Sequence, residues 1–71
     1  MNSKNQILVV DDDPAVLRAT SKILTDEGYH VIEASNGLNA LQLARTNFPD
    51  LILLDNELPD ISGLEVCKRL K

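Results

Sequence analysis

The run Leu51-Ile52-Leu53-Leu54, closed by the carboxylate of Asp55, decides the fold of this chain. A second apolar run, Ile7-Leu8-Val9-Val10, ends in the same way, in Asp11-Asp12-Asp13-Pro14. Runs of four apolar residues rich in Ile, Val and Leu are typical of strands buried on both faces of a parallel sheet. Ligands bind such sheets at the carboxyl ends of the strands. The pattern therefore brings carboxylates from two strands to the edge where an α/β sheet does its chemistry.

The rest of the sequence predicts strands and helices in alternation. Asp13 and Pro14 are a good N-cap and first helical residue, Gly28 suits the position after a helix, and Asn36 can cap a second helix. The stretch Ser62-Gly63-Leu64-Glu65 has the form of a capping box. We expect strands over residues 6–10, 29–34 and 51–54, and helices over residues 14–27, from Asn36 to before Pro49, and from Ser62. The order βαβαβα implies right-handed crossovers between parallel strands.

Apolar spacing predicts which face of each helix is buried. The expected buried residues are Val16, Ala19, Ile23 and Leu24 in the first helix, Ala40, Leu41 and Ala44 in the second, and Leu64, Cys67 and Leu70 in the third.

Composition bounds the class of protein. The chain has 71 residues, of which 44% are hydrophobic, so we expect a globular α/β unit about half the size of an ordinary doubly wound domain, ending within helix three. A net charge of −4 with seven Lys and Arg residues argues against direct nucleic-acid binding. The single Cys67 fits a reducing compartment. No apolar run is long enough for a signal sequence or a membrane span, which predicts a cytoplasmic protein.

The acidic residues at the strand ends predict a metal site. Asp13 is explained by helix capping, but Asp11 and Asp12 beside Asp55 repel one another unless a cation or protons intervene. Oxygen ligands with open positions suit Mg²⁺. A carboxylate such as that of Asp55 can also act as a nucleophile toward a phosphoryl group, with the metal neutralising charge.

These residues together carry a family resemblance. The matching blocks are residues 7–14, residues 28–31 with 34–37, and residues 50–55 with 58–60 and Gly63, in order and over nearly the whole chain. With these blocks the chain resembles the receiver domain of two-component response regulators. The resemblance implies a flavodoxin-like, doubly wound parallel sheet, present here as a βαβαβα half with strand order 2-1-3.

The resemblance also implies a chemistry. Asp55 would accept a phosphoryl group from a phosphohistidine on a sensor histidine kinase or a phosphotransfer protein. Asp12 and Asp55 would bind Mg²⁺ directly with the backbone carbonyl of Glu57, and Asp11 would act through a metal-bound water. Such a module is a phosphoacceptor and not an enzyme with a separate substrate.

Departures from the family pattern leave two alternatives open. The family places a Thr or Ser after strand four and a Lys after strand five, and neither strand is present in these 71 residues. Asp11-Asp12-Asp13 also satisfies the D-x-D of haloacid-dehalogenase-type phosphatases, with Asp11 as nucleophile and Asp13 as general acid. A third possibility is an inert receiver half that only self-associates, through the apolar edge of strand three.

Overall fold

The computed structural model has the alternating architecture that the sequence predicts. It describes residues 5–54, 60 and 63–70, the last helix without the side chains at positions 63, 64 and 67. The elements are β1 (Gln6–Val10), α1 (Pro14–Asp26), β2 (His30–Ala34), α2 (Gly37–Asn47), β3 (Leu51–Leu54) and α3 (Gly63–Leu70). The predicted cap at Ser62 lies outside the described residues. No helix in the described part of the chain is long and apolar enough to cross a bilayer.

The three strands form a parallel sheet in the order β2-β1-β3, which confirms the expected 2-1-3 arrangement. The central strand β1 contributes four buried residues, 7–10, to the hydrophobic core. Leu8 and Val10 are buried against α2 and part of α3, and because successive side chains of a strand point to opposite faces, Ile7 and Val9 lie on the α1 side. The register aligns Val10 with both Ala34 and Leu54, so the carboxyl ends of all three strands are level.

Local capping chemistry fixes the helix ends. The Asp13 carboxylate accepts a hydrogen bond from the N–H of Ala15 at 2.9 Å, as expected of the N-cap of α1. Gly28, just beyond that helix, has a φ of 97°, a backbone conformation that favours glycine. The Asn36 side chain accepts the N–H of Asn39 at 2.7 Å and caps α2.

The predicted buried stripe of α1 is wrong at three of its four positions. Val16 and Ala19 are exposed, and Ile23 is 64% exposed, whereas Leu24 is half-buried. The face turned toward the sheet instead runs through half-buried Leu17, buried Ser21 and Leu24, at the i, i+4, i+7 spacing of one helix face. The physical reason is that α1 packs on β1 and β2, and this packing, which the spacing along α1 alone does not reveal, buries Ser21.

The other two helices share the opposite face. Ala40, Leu41 and Ala44 of α2 are buried, as predicted, and α3 packs beside them. In α3, Leu70 packs partly buried against the core. Among the described side chains of this helix, that of Val66 is the most deeply buried, at 0% exposure, and the apolar spacing did not single it out. The predictions for Leu64 and Cys67 concern side chains outside the described residues.

Candidate functional site

Asp11 lies at the carboxyl edge of the sheet, directly after β1. Its backbone N–H donates to the carbonyl of Ala34 at 3.1 Å, so the pairing with β2 continues to this residue. On the other side, Val10 is in register with Leu54, the last residue of β3. The chain position after Leu54 is that of Asp55, which lies outside the described residues. The ends of the two strands that carry the predicted carboxylates are therefore neighbours in the sheet.

The three consecutive aspartates have different surroundings. Half-buried Asp11 accepts the N–H of Asp13 on its Oδ1 at 2.9 Å, which holds the side chain in a local turn. Asp13 is committed to the cap of α1. Asp12 is exposed, and among the described residues its carboxylate has no hydrogen-bond or ion-pair partner. Asp12 is thus the carboxylate of this turn whose oxygens are free for a ligand.

A groove runs past Asp11 between the ends of β1 and β3 and the flank of α1. Its volume is about 360 Å³, and the described residues that line it are Val9, Val10, Asp11, Thr20, Leu53 and Leu54. Most of these side chains are apolar, and Asp11 is the charged residue among them. Concave apolar sites with a few convergent polar groups are the usual form of small-ligand sites.

The described donors fit a hard divalent cation in chemical type but are too few to enclose one. Within residues 5–54, 60 and 63–70, no group of three or more His, Cys, Asp or Glu side chains could hold a metal ion. Asp55 and Glu57, the other predicted ligands, lie outside that part of the chain. The carboxylates of Asp11 and Asp12 offer oxygen donors at a solvent-facing edge. Mg²⁺ commonly uses only one or two carboxylates and retains several waters.

Sequence reasoning missed one polar contact near this edge. The Asp60 carboxylate accepts the N–H of Gly37 on Oδ1 at 2.8 Å and the N–H of Leu38 on Oδ2 at 2.9 Å. These groups open α2, more than twenty residues earlier in the chain. No local signal could have revealed the contact, because capping rules read only the residues adjacent to a helix.

Comparison with known proteins assigns the family. The sequence profile described as the response regulator receiver domain matches residues 7–71. The chain belongs to the response regulator receiver domain family. The resemblance that the sequence motifs indicated is confirmed, and so is the flavodoxin-like fold of solved receivers. Receivers are signalling modules of two-component systems, and this sets the general class of function.

Individual relatives support the same assignment. The alkaline phosphatase synthesis transcriptional regulatory protein PhoP of Bacillus subtilis is 49% identical over the whole chain, which covers 29% of that protein. Sporulation initiation phosphotransferase F of the same organism is 41% identical over the whole chain and 56% of its own length. The chain thus spans about half or less of the curated receivers it matches.

Solved receivers superpose closely on this one. A CheY-like receiver domain protein from Methanospirillum hungatei has a TM-score of 0.92 at 40% identity, over 94% of this chain and 54% of its own. The response regulator TrrA of Thermotoga maritima, solved in complex with Mg²⁺-BeF, has a TM-score of 0.90 at 42% identity, over 93% and 57%. Magnesium binding is therefore a property found within the family.

Proposed function

We propose that this receiver accepts a phosphoryl group on Asp55, with Mg²⁺ held by Asp11, Asp12, Asp55 and the backbone carbonyl of Glu57. The observation that carries the proposal is the register of β1 and β3. Val10 and Leu54 are paired, so β1 and β3 end side by side at the same edge of the sheet. Two of the proposed metal ligands, Asp11 and Asp12, stand at that edge, and the Asp12 carboxylate is exposed.

The chain's own residues have distinct tasks in the transfer. A carboxylate oxygen of Asp55 forms a bond to phosphorus as the P–N bond of a phosphohistidine breaks, and the histidine ring, already protonated on its other nitrogen, departs as a neutral imidazole. When bound, Mg²⁺ neutralises charge on the carboxylate and on the phosphoryl oxygens. Asp12 faces solvent and can ligate directly. Asp11 is held by the N–H of Asp13, so it is suited to orient a metal-bound water.

The donor is a sensor histidine kinase or a phosphotransfer protein. Support comes from the relatives, since one of them is named as a phosphotransferase of sporulation initiation and another as a transcriptional regulatory protein. The class of donor follows from the chemistry, because a phosphoramidate is an activated phosphoryl donor to a carboxylate nucleophile.

In the sequence, Asp50 precedes β3 and Asp55 follows it, so a substitution at Asp50 is a matched control for one at Asp55. In the full-length natural protein, labelling by acetyl phosphate in the presence of Mg²⁺ should vanish in Asp55→Ala. Asp50, at the other end of the strand, accepts the N–H of Gln6 at 2.7 Å, so Asp50→Ala perturbs the same strand without touching the carboxyl edge and should still be labelled. Labelling of Asp55→Ala at the wild-type rate would contradict the proposal.

The phosphatase alternative makes a different prediction for the same assay. It requires an aspartyl phosphate on Asp11 and a general acid at Asp13. The Asp13 carboxylate is engaged with the N–H of Ala15, and the family match assigns the chain to receivers. Mass mapping of the phosphorylated peptide separates the two, because a phosphate on residues 7–14 would support the phosphatase and one on residues 51–60 the receiver.

A further inference from the structure

The N-terminus of α2 is capped from two separate parts of the chain. A helix leaves its first N–H groups without carbonyl partners of its own. Here the Asn36 side chain takes the N–H of Asn39, and the Asp60 carboxylate takes those of Gly37 and Leu38. The N–H of Ala40 bonds to the carbonyl of Asn36, the first bond within the helix. Asn36 is a local cap, whereas Asp60 bridges 22 and 23 residues.

This bridge fixes one end of a short segment. Asp60 follows Asp55 by five positions, so residues 55–59 are the part of the sequence between the end of β3 and Asp60. Its start is held by the pairing of Leu54 with Val10. Its end is held by a two-pronged contact with α2, which itself packs on β1 and β2. Leu54 and Asp60, the described residues on either side of positions 55–59, are therefore both held to the same core.

We propose that Asp60 is a positioning residue for phosphoryl transfer, which it serves by fixing the end of the segment that carries Asp55 and Glu57. The inference rests on the proposed function of Asp55. It goes beyond that function because it assigns a role to a residue that is neither the proposed phosphoacceptor nor a proposed metal ligand. Reaction rates depend steeply on placement, and small misplacements from remote changes are costly.

The geometry explains why a carboxylate is suited to this position. Its two oxygens accept two successive N–H groups, a bidentate contact that restrains rotation as well as distance. The negative charge also lies at the positive end of the α2 dipole. Gly37 is buried, so if the Asp60 carboxylate is removed, water is a poor replacement as the acceptor for the N–H of Gly37. An asparagine at the same place could still accept one of the two hydrogen bonds.

Three variants of the full-length protein separate positioning from simple stabilisation. Asp60→Ala removes the bridge, Asp60→Asn keeps part of it, and Asn36→Ala removes a cap of the same helix without touching the bridge. Each is measured for stability, for the maximal rate and the Mg²⁺ dependence of labelling by acetyl phosphate, and for hydrogen exchange of the peptide spanning residues 55–59.

The expected result is a specific effect of Asp60. Asp60→Ala should lower the maximal labelling rate or the apparent Mg²⁺ affinity about tenfold, the usual effect of losing a group that orients metal ligands. Asp60→Asn should recover part of the loss, and Asn36→Ala should label normally despite a comparable loss of stability. Exchange of residues 55–59 should accelerate in Asp60→Ala alone.

Two results would overturn the inference. One is a wild-type maximal labelling rate together with a wild-type Mg²⁺ dependence in Asp60→Ala, and the other is an equal defect in Asn36→Ala at equal stability. A wild-type protein that takes no phosphate would instead refute the proposed function. In that case the exchange of residues 55–59 still decides the role of Asp60, since equal exchange in Asp60→Ala and Asn36→Ala would show that the bridge anchors nothing.

Discussion

At the scale of single residues, the turn after β1 shows how three identical side chains acquire different roles. The backbone decides, because the N–H groups at the start of α1 point at particular carboxylates. The Asp13 carboxylate accepts a hydrogen bond from the N–H of Ala15, and the Asp11 carboxylate accepts one from the N–H of Asp13. The Asp12 side chain accepts neither of these hydrogen bonds and is exposed to solvent. The three aspartates carry the same charge, so their charge alone does not distinguish these roles.

This division of roles predicts opposite outcomes for neighbouring substitutions. Asp13→Ser should keep Mg²⁺ affinity and change the free energy of unfolding by only a few tenths of a kcal/mol, since serine also caps, whereas Asp13→Ala should cost about 1 kcal/mol. Asp12→Ala should weaken Mg²⁺ binding with little effect on stability. Calorimetric titration and urea unfolding of all three variants check this. Loss of Mg²⁺ binding in Asp13→Ser but not in Asp12→Ala would reverse the assignment.

At the scale of elements, the two long helices end in different ways. After α1 the chain passes through Glu27 to Gly28, which has a φ of 97°. The C-cap of α2 is Phe48, with a φ of 51°. This left-handed conformation is energetically unfavourable for a residue that carries a side chain. Phe48 recovers little through packing, because its side chain is 81% exposed. The next residue, Pro49, disfavours helical backbone at Phe48, which accounts for the end of α2 at this point.

The two helix ends predict stability changes of opposite sign. Phe48→Asn should raise the free energy of unfolding by about 0.5–1 kcal/mol, because asparagine adopts the left-handed region more readily. Gly28→Ala should lower it by about 1–2 kcal/mol. A Cβ on Gly28 would meet nothing within 4 Å, so the loss would report backbone strain alone. Denaturant unfolding measures both, and a neutral Gly28→Ala would show that the chain relaxes there without strain.

At the scale of the whole molecule, coverage of the sheet is uneven. Both faces of β1 are buried, but Leu51 and Leu53 of β3 are exposed on the face where α1 packs. In the described sheet β3 is paired only with β1, which leaves its outer backbone groups available to another strand. Apolar side chains and an open edge on one strand are the features that favour association.

We therefore predict that the 71-residue chain self-associates through β3. A two-fold pairing of β3 with its copy would be antiparallel and closed. Sedimentation velocity should show association that Leu51→Lys with Leu53→Lys abolishes. Leu38→Lys is the control, since Leu38 of α2 is 54% exposed and Leu51 is 51% exposed. A stable monomer at high concentration, or equal loss of association in the control, would refute the role of β3.

The sequence by itself determined the local structure of this protein. The bounds of β1 and β3, the caps at Asp13 and Asn36 and the glycine after α1 all follow from neighbouring residues, whose backbone preferences and hydrogen bonds act over a few positions. The order 2-1-3 came with the family resemblance, and the strand pairing confirms it.

Only the tertiary structure decided how these elements meet. It turned α1 so that Ser21, and not Ile23, faces the sheet, and it buried Val66 completely. It also joined Asp60 to the start of α2 across more than twenty residues. Helix rotation and distant hydrogen bonds depend on the shapes of surfaces that are far apart in the chain, and periodicity read along one segment contains no information about its neighbour.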